Sequence, residues 1–287
     1  MPLDYQRLMN MKFDPVTAQY SKKDTMLYAL GLGVGSVAPN DAHELKYVYE
    51  RNLVALPTLA VTLAADAMKL AEPQFGINFK LLLHGEQSIR MHKPLPVEGT
   101  VVSRTSIDEI YDKGAAKGAI LYLTRKLFEQ SSGDLLVTMG TGWFLRGDGG
   151  FGGKSEGAAK PRPVPVERPP DLTAQLPAWL GQALIYRLAG DYNPLHVDPE
   201  VAHSAGFDRP ILHGLCAYGM VGRALIKALC GDDPARLRRL DVRFTSPVYP
   251  GEPLHLEIWK LAADDAAFRL VATERKVVVE DFGRVEF

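Results

Sequence analysis

Apolar residues gather in two long stretches, Leu59 to Ala71 and Leu212 to Cys230, each apolar on nearly every side at helical spacing. A helix without a polar face has to be buried, so both stretches predict a central helix. A proline stands at the opening of each, Pro57 and Pro210, where its fixed φ suits the first helical turn. Shorter runs rich in Val, Thr, Leu and Ile follow. They are Gly99–Ser106, Ala119–Phe128 and Leu135–Phe144 after the first stretch, and Leu254–Lys260, Ala267–Thr273 and Lys276–Val279 after the second. These predict strands. One helix followed by strands on short turns predicts an α+β unit, with an antiparallel sheet wrapped around the helix.

The two units look like a repeat. Pro57 and Pro210 are 153 residues apart, and so are Pro94 and Pro247, each pair joining the same kinds of predicted element. Between the units, Arg146 to Pro170 reads RGDGGFGGKSEGAAKPRPVPVERPP. Glycine dominates its first part and proline its second, which supports no regular element. The chain therefore divides into a unit at 1–150, a Gly/Pro-rich linker at 151–170 and a unit at 171–287.

Composition narrows the function. Over 287 residues, 46% are hydrophobic and 23% charged, which excludes wholesale disorder. Thirty-three Lys and Arg against 34 Asp and Glu leave a net charge of -1, so no global field attracts nucleic acid. A local basic patch for one small anion remains allowed. Two cysteines, Cys216 and Cys230, fit neither a disulfide framework nor a CxxC metal site. The longest charge-free apolar stretches, Leu53–Ala65 and Pro210–Gly222, are too short to span a bilayer. The first residues carry Asp4, Arg7, Lys12 and Asp14 with no apolar core, and the last three are not the peroxisomal Ser-Lys-Leu. The expectation is a soluble cytoplasmic protein with no membrane partner.

The densest polar cluster runs from Tyr186 to Asp198 and contains Gly190-Asp191-Tyr192-Asn193-Pro194-Leu195-His196. Gly, Asp, Asn and Pro are turn residues, so GDxNP alone reads equally well as an exposed turn. His196 changes the reading. A carboxylate and an imidazole five residues apart across an Asn-Pro turn can face one cleft, and they move protons near neutral pH. Downstream, Pro210-Ile211-Leu212-His213-Gly214-Leu215 opens the second apolar stretch. Gly214 would present an unpaired N–H at a helix start, the makings of an oxyanion hole. The competing reading is a glycine needed for tight helix packing.

A metal fits poorly. Asp191, His196, Asp198, His203 and His213 match no HExxH spacing, and an EF-hand begun at Asp191 places His196 where Gly is required and Ala202 where Glu is required. Gly152-Gly153-Lys154-Ser155 imitates the end of a P-loop, but Asp148 holds the first glycine's place and a Pro-rich segment follows. Gly31, Gly33 and Gly35 lack the full GxGxxG pattern. In the first unit, His84 taken alone reads as a structural histidine, and Asp112-Lys113-Gly114 as a hairpin turn with a solvated lysine.

Tyr186–His196, Ala205-Gly206-Phe207-Asp208 and Pro210–Leu215 together resemble the (R)-specific enoyl-CoA hydratases, the MaoC-like type-2 hydratase family. Further likenesses lie in Tyr28–Gly31, Leu83–Gln87 with Lys93–Pro96, Gly149–Lys154, and Arg243-Phe244 with Pro247–Gly251. The resemblance covers nearly the whole chain. It implies a double hot dog fold, two sheet-wrapped helices in one chain, and a homodimer. It makes Asp191 and His196 the catalytic pair with Asn193 as their neighbour. It places the thioester oxygen on the Gly214 N–H, and makes His84, Gly85, Lys113 and Phe244 further contacts to an acyl-CoA. Glu50 matches a family glutamate whose expected role is structural. Ala38–His43 stands where a second motif would lie and lacks its acid. The first unit is then expected to accommodate the acyl chain, with one active site per chain.

The implied reaction hydrates a trans-2-enoyl-CoA to the (3R)-3-hydroxyacyl-CoA, with no metal or cofactor other than the CoA of the substrate. Its rivals are a dehydratase acting on acyl carrier protein thioesters, a hot dog thioesterase and a non-catalytic acyl-CoA binding module.

Overall fold

In a computed structural model, residues 3–158 and 160–287 are described. Met1, Pro2 and Ala159, which fall within the expected first unit and linker, lie outside the described residues. Ten strands form one antiparallel sheet. They are β1 (Val16–Tyr20), β2 (Leu82–Met91), β3 (Gly99–Asp112), β4 (Ala119–Glu129) and β5 (Leu135–Leu145) from the first half, then β6 (Leu172–Leu176), β7 (Arg239–Phe244), β8 (Leu254–Ala262), β9 (Asp265–Ala272) and β10 (Val277–Glu286) from the second. Their order is β1-β3-β4-β5-β2-β7-β10-β9-β8-β6. Counted outward from the β2–β7 seam, the two halves have the same order, so the repeat seen in the prolines is a repeat of topology. The seam pairs Glu86 with Arg243 and runs to Arg90 with Arg239. The expected strands are all present, and β1, β2, β6 and β7 are additional to them.

Six α-helices accompany the sheet: α1 (Tyr5–Met9), α2 (Lys22–Gly31), α3 (Ala42–Leu45), α4 (Gln182–Tyr186), α5 (Pro199–Ser204) and α6 (Gly214–Leu229). The helix α2 opens with a capping box, Ser21 and Asp24 each satisfying the other's backbone N–H. Its last residue, Gly31, lies so close to α4 that an added Cβ would sit 2.9 Å from the Tyr186 Cα. The sixteen residues of α6 are buried on nearly all sides, from Cys216 through Leu229, as their apolarity requires. The sheet of the second half curves around them.

The first half differs from expectation. Leu59–Ala71 is not an α-helix. It is two 3-10 turns, Pro57–Val61 and Ala67–Ala71, with Ala64 between them at φ 49°. Burial was legible in its apolarity, since Leu59, Ala60 and Val61 are all buried. Helicity was not, because Arg125 takes over the backbone acceptors. Leu121, Leu123, Arg125 and Leu127 alternate along one side of β4, so the guanidinium points inward with the leucines. It donates to the Val61 carbonyl at 2.7 Å and the Leu63 carbonyl at 2.6 Å. Those carbonyls would otherwise need N–H partners from a following helical turn. Burial pushes the Arg125 pKa down to about 10. Thr105 donates to Asp66 at 2.8 Å and fixes the far end of the segment.

Among the described residues, no helix or strand lies between Leu145 and Leu172. The segment is tied down all the same. The Asp112 carboxylate accepts from the backbone N–H groups of Gly114 (2.8 Å), Gly150 (2.7 Å) and Gly152 (2.7 Å). These bonds, Gly150 foremost, hold the Asp112 carboxyl below the usual carboxylate range. Further on, Val164 packs with Trp259 and Ala267, and the Trp259 indole donates to the Arg168 carbonyl at 3.0 Å. No helix among the described residues is long and apolar enough to cross a membrane.

Candidate active site

The loop between α4 and α5 carries the acid and the imidazole. Gly190, at φ 123°, makes the turn before Asp191, a conformation L side chains rarely adopt. It also lies against the unwound segment of the first half, for an added Cβ would meet the Thr62 carbonyl oxygen at 3.3 Å. The Asp191 carboxylate accepts from the Asn193 N–H at 3.3 Å. Asn193 in turn caps the 3-10 turn Pro194–His196, its Oδ1 accepting from the Leu195 N–H at 3.1 Å. The Asn193 side chain is exposed, so in this structure it shapes the loop rather than facing the cleft.

His196 is buried by that turn, 9% exposed. Its Nδ1 lies 2.9 Å from the Ile211 carbonyl. A carbonyl only accepts, so Nδ1 carries the proton and Nε2 keeps a free lone pair. Burial holds the His196 pKa below its ordinary value, against the pull of the Ile211 carbonyl and of Asp191. The ring stacks on His213, centroids 3.7 Å apart and planes 29° off parallel. His213 is the N-cap residue of α6 and 1% exposed, and its Nε2–H donates to the Asp191 carbonyl at 3.1 Å. Burial, with His196 alongside, pushes its pKa down to about 3.

Gly214 follows as the first residue of α6, where the N–H has no intrahelical acceptor and the helix dipole is positive. A Cβ there would touch the Phe244 ring at 3.4 Å, ordinary contact. Phe244, the last residue of β7, meets His84 of β2 edge-on across the seam at 5.3 Å. Gly85 sits at a register shift between β2 and β5, and a Cβ there would lie 2.6 Å from the Phe144 ring. The His84 Nε2–H donates to the Glu86 carbonyl at 3.1 Å, and burial drops the His84 pKa to about 4. Asp191 is close enough to pull that pKa the other way. Residues of both halves therefore meet here: His84 of the first lies against Phe244 and within reach of Asp191 of the second, and Phe244 in turn borders Gly214.

Lys113 lies elsewhere, in the β3–β4 hairpin, with its Nζ donating to the Ser155 carbonyl. With Lys117 and Phe144 it borders an open hollow of about 460 Å³. The Phe144 ring that lines this hollow is the one pressed against Gly85. Glu50 is exposed in a bend after α3. Nearby, Glu44 is buried, paired with Arg223 and accepts from the Gly35 N–H at 3.1 Å.

Polar ligand atoms of Asp191, His196 and His213 come within 4.8 Å of one another. A shared cation needs lone pairs that converge, at metal–nitrogen distances of about 2.1 Å. Two rings stacked face to face present parallel edges instead, so the cluster is poorly built for an ion.

Comparison with known proteins gives the family of the chain. The MaoC like domain matches residues 162–281, and the MFE-2 hydratase 2 N-terminal domain matches residues 18–147. The chain belongs to the MaoC-like hydratase 2 family. Within that family it is 42% identical over 268 residues to a probable enoyl-CoA hydratase 2 of Dictyostelium discoideum, covering 91% of this chain and 88% of that protein. It is 40% identical over 280 residues to the 3-hydroxyacyl-thioester dehydratase Y of Mycobacterium tuberculosis, covering 96% and 95%. Among solved structures, a MaoC-like dehydratase from Phytophthora capsici superposes with a TM-score of 0.85 at 33% identity, covering 98% of both chains. The fold expected from the resemblance, a double hot dog, is the fold of this hydratase family.

Two residues of the site escaped the sequence reading. His213 stood inside a quoted motif but was assigned no role, because a stack on His196 is a tertiary fact. Arg125 could have been found, as the charged residue set between Leu123 and Leu127 on the inward-facing alternation of β4.

Proposed function

We propose that this chain hydrates trans-2-enoyl-CoA thioesters in fatty acid metabolism, with Asp191 and His196 as its acid–base pair. The observation that carries the assignment is the Ile211 carbonyl on His196 Nδ1, which leaves Nε2 a neutral base beside the Asp191 carboxyl. One water lies between the two groups. His196 Nε2 takes a proton from it as its oxygen bonds to C3 of the enoyl group. Asp191 enters the step as the carboxylic acid and delivers its proton to C2; the proton that His196 took from the water then passes to the Asp191 carboxylate, which restores both groups. Enolate-like charge developing on the thioester oxygen falls on the Gly214 N–H, where one donor is worth about 3 kcal/mol. No metal or redox group is called for, and CoA enters with the substrate.

The naming of the relatives as type-2 hydratases supports the (3R) product. One loop and one helix start hold the three groups, which directs water to a single face of the double bond. The same site runs the reverse dehydration, in keeping with the dehydratase among the relatives. Lys113 would bind the CoA portion, since with Lys117 it puts two cationic side chains on one hollow, suited to an anionic group. The assembly would be a homodimer, testable by sedimentation.

Turnover of crotonyl-CoA and of a longer enoyl-CoA is followed by loss of the enoyl-thioester absorbance. Asp191→Asn and His196→Gln are each expected to lower kcat by about 10²–10⁴-fold with an unchanged melting curve. Near-normal turnover in either variant, or a (3S) product, would refute the proposal.

A further inference from the structure

His213 touches both members of the proposed pair and takes no proton in the reaction as written. Its Nε2–H is spent on the Asp191 carbonyl, and its Nδ1 is buried without a partner. One face of its ring covers the His196 imidazole. The Tyr186 ring lies 4.9 Å away and is tilted by 52°, so the histidine has aromatic neighbours besides the base.

We propose that His213 is a positioning residue for both catalytic groups: its Nε2–H fixes the main chain of Asp191, and its ring keeps water from one face of His196. This rests on the reading of Asp191 and His196 as acid and base. The two contacts do separable things. The hydrogen bond sets where the carboxyl stands relative to the substrate carbon. The stack withholds hydration from His196, and so resists its protonation. Four other titratable groups lie around the two stacked histidines. Asp191 shares the loop, Tyr186 and Arg187 precede it, and His84 approaches Asp191 from across the seam. Of these, only Asp191 favours a charge on His196.

Two variants separate the contacts. His213→Phe keeps a ring against His196 and removes the donor. It is expected to lower kcat about 10²-fold, the usual effect of a small misplacement, with KM within about threefold and the acid limb of kcat/KM unmoved. His213→Gln keeps an amide donor near the Nε2 position and removes the ring. It is expected to lower kcat by less than about tenfold and to move the acid limb up toward 6.5, the ordinary imidazole value. A role in folding alone would lower the melting temperature without either split. Undiminished kcat in the Phe variant, or an unmoved limb in the Gln variant, overturns the proposal.

Nitrogen-15 NMR of the unaltered protein supplies a measurement that needs no variant to fold. His213 is expected as the Nε2–H tautomer, neutral at pH 5. A Nδ1–H tautomer, or titration near 6.5, overturns the proposal as well. Full turnover by Asp191→Asn and His196→Gln would instead sink the acid–base reading, whatever the state of His213.

Discussion

Everything around His196 except Asp191 and the Ile211 carbonyl resists a positive charge on its ring. Its lowered pKa sets the pH range of the base. Activity is expected to hold below the ordinary imidazole value of 6.5, with the acid limb of kcat/KM falling under that number. A limb at or above 6.5 would contradict the burial seen here. Stability follows the same sign. His84 and His213 are depressed to about 4 and about 3 in the folded chain, while an exposed histidine titrates near 6.5. The folded state therefore binds fewer protons than the unfolded one in that interval. The stability these rings contribute is complete above about 6.5 and is lost as pH falls through their folded values. Melting temperature measured from pH 7 down to pH 4 is expected to decline, and His84→Gln to flatten part of the slope. Gly214 offers a contrasting case. A Cβ there makes only ordinary contact with Phe244, so Gly214→Ala is expected to fold normally. The methyl group intrudes where the thioester oxygen approaches, and the cost is expected in kcat/KM.

At the scale of elements, the unwound segment of the first half depends on one side chain. Arg125→Met keeps much of the length and loses both donors. It leaves the Val61 and Leu63 carbonyls buried and unpaired, at a cost of about 3 kcal/mol. Thr62, between them, lies against Gly190, so turnover is expected to fall along with stability. Denaturant midpoints and crotonyl-CoA kinetics would check both. A variant as stable and active as the parent would show that the segment holds itself. This segment also marks where sequence reading ended. Strands with clean alternation were legible, and so was α6, because a continuous apolar surface over sixteen residues has no alternative to burial in a sheet's concavity. In Leu59–Ala71 the same apolarity signals burial alone. What decides between α-helix and 3-10 turns is a guanidinium arriving from residue 125. The loop proposed to be catalytic stood out in the sequence because Gly190 to Gly214 holds a carboxylate, an imidazole and an N–H donor within one stretch. The meeting of His84 with Phe244 depends on which strands form the seam, and spacing does not contain that. Opposite α6, Glu280 of β10 is 1% exposed with both carboxylate oxygens unpartnered. Burial raises its pKa well above the ordinary value near 4.5. The folded state then holds a proton that the unfolded state releases. The contribution of Glu280 to stability is greatest below about pH 4.5 and is lost as pH rises toward the folded value, by at most about 1.4 kcal/mol per pH unit. Glu280→Gln is expected to match the parent's melting temperature near pH 5 and to exceed it at pH 8. An equal gap at both pH values would contradict a buried neutral acid.

Across the whole molecule, the two halves repeat in topology and differ in interior, and the difference decides how they unfold. A repeat of two self-sufficient units could melt in two steps. Here the first half has no long helix of its own, and its Thr58 packs instead against Gly222 of α6, where an added Cβ would meet the Thr58 methyl at 2.8 Å. Leu59, Ala60 and Val61 belong to the same buried cluster as Cys216, Tyr218 and Val221. The seam adds five paired residues between β2 and β7 and an ion pair between Glu86 and Arg243. Separating the halves would open two sheet edges and strip α6 of one wall, a cost neither half can recover alone. The chain is therefore expected to unfold in one cooperative step, despite its repeat. Trp143 reports on the first half and Trp259 on the second, so variants retaining only one of them read each half separately. Both are expected to give the same urea midpoint, and loss of turnover to coincide with it, because His84 of one half lies within reach of Asp191 of the other. Two separated midpoints would mean that the shared core is weaker than its burial implies.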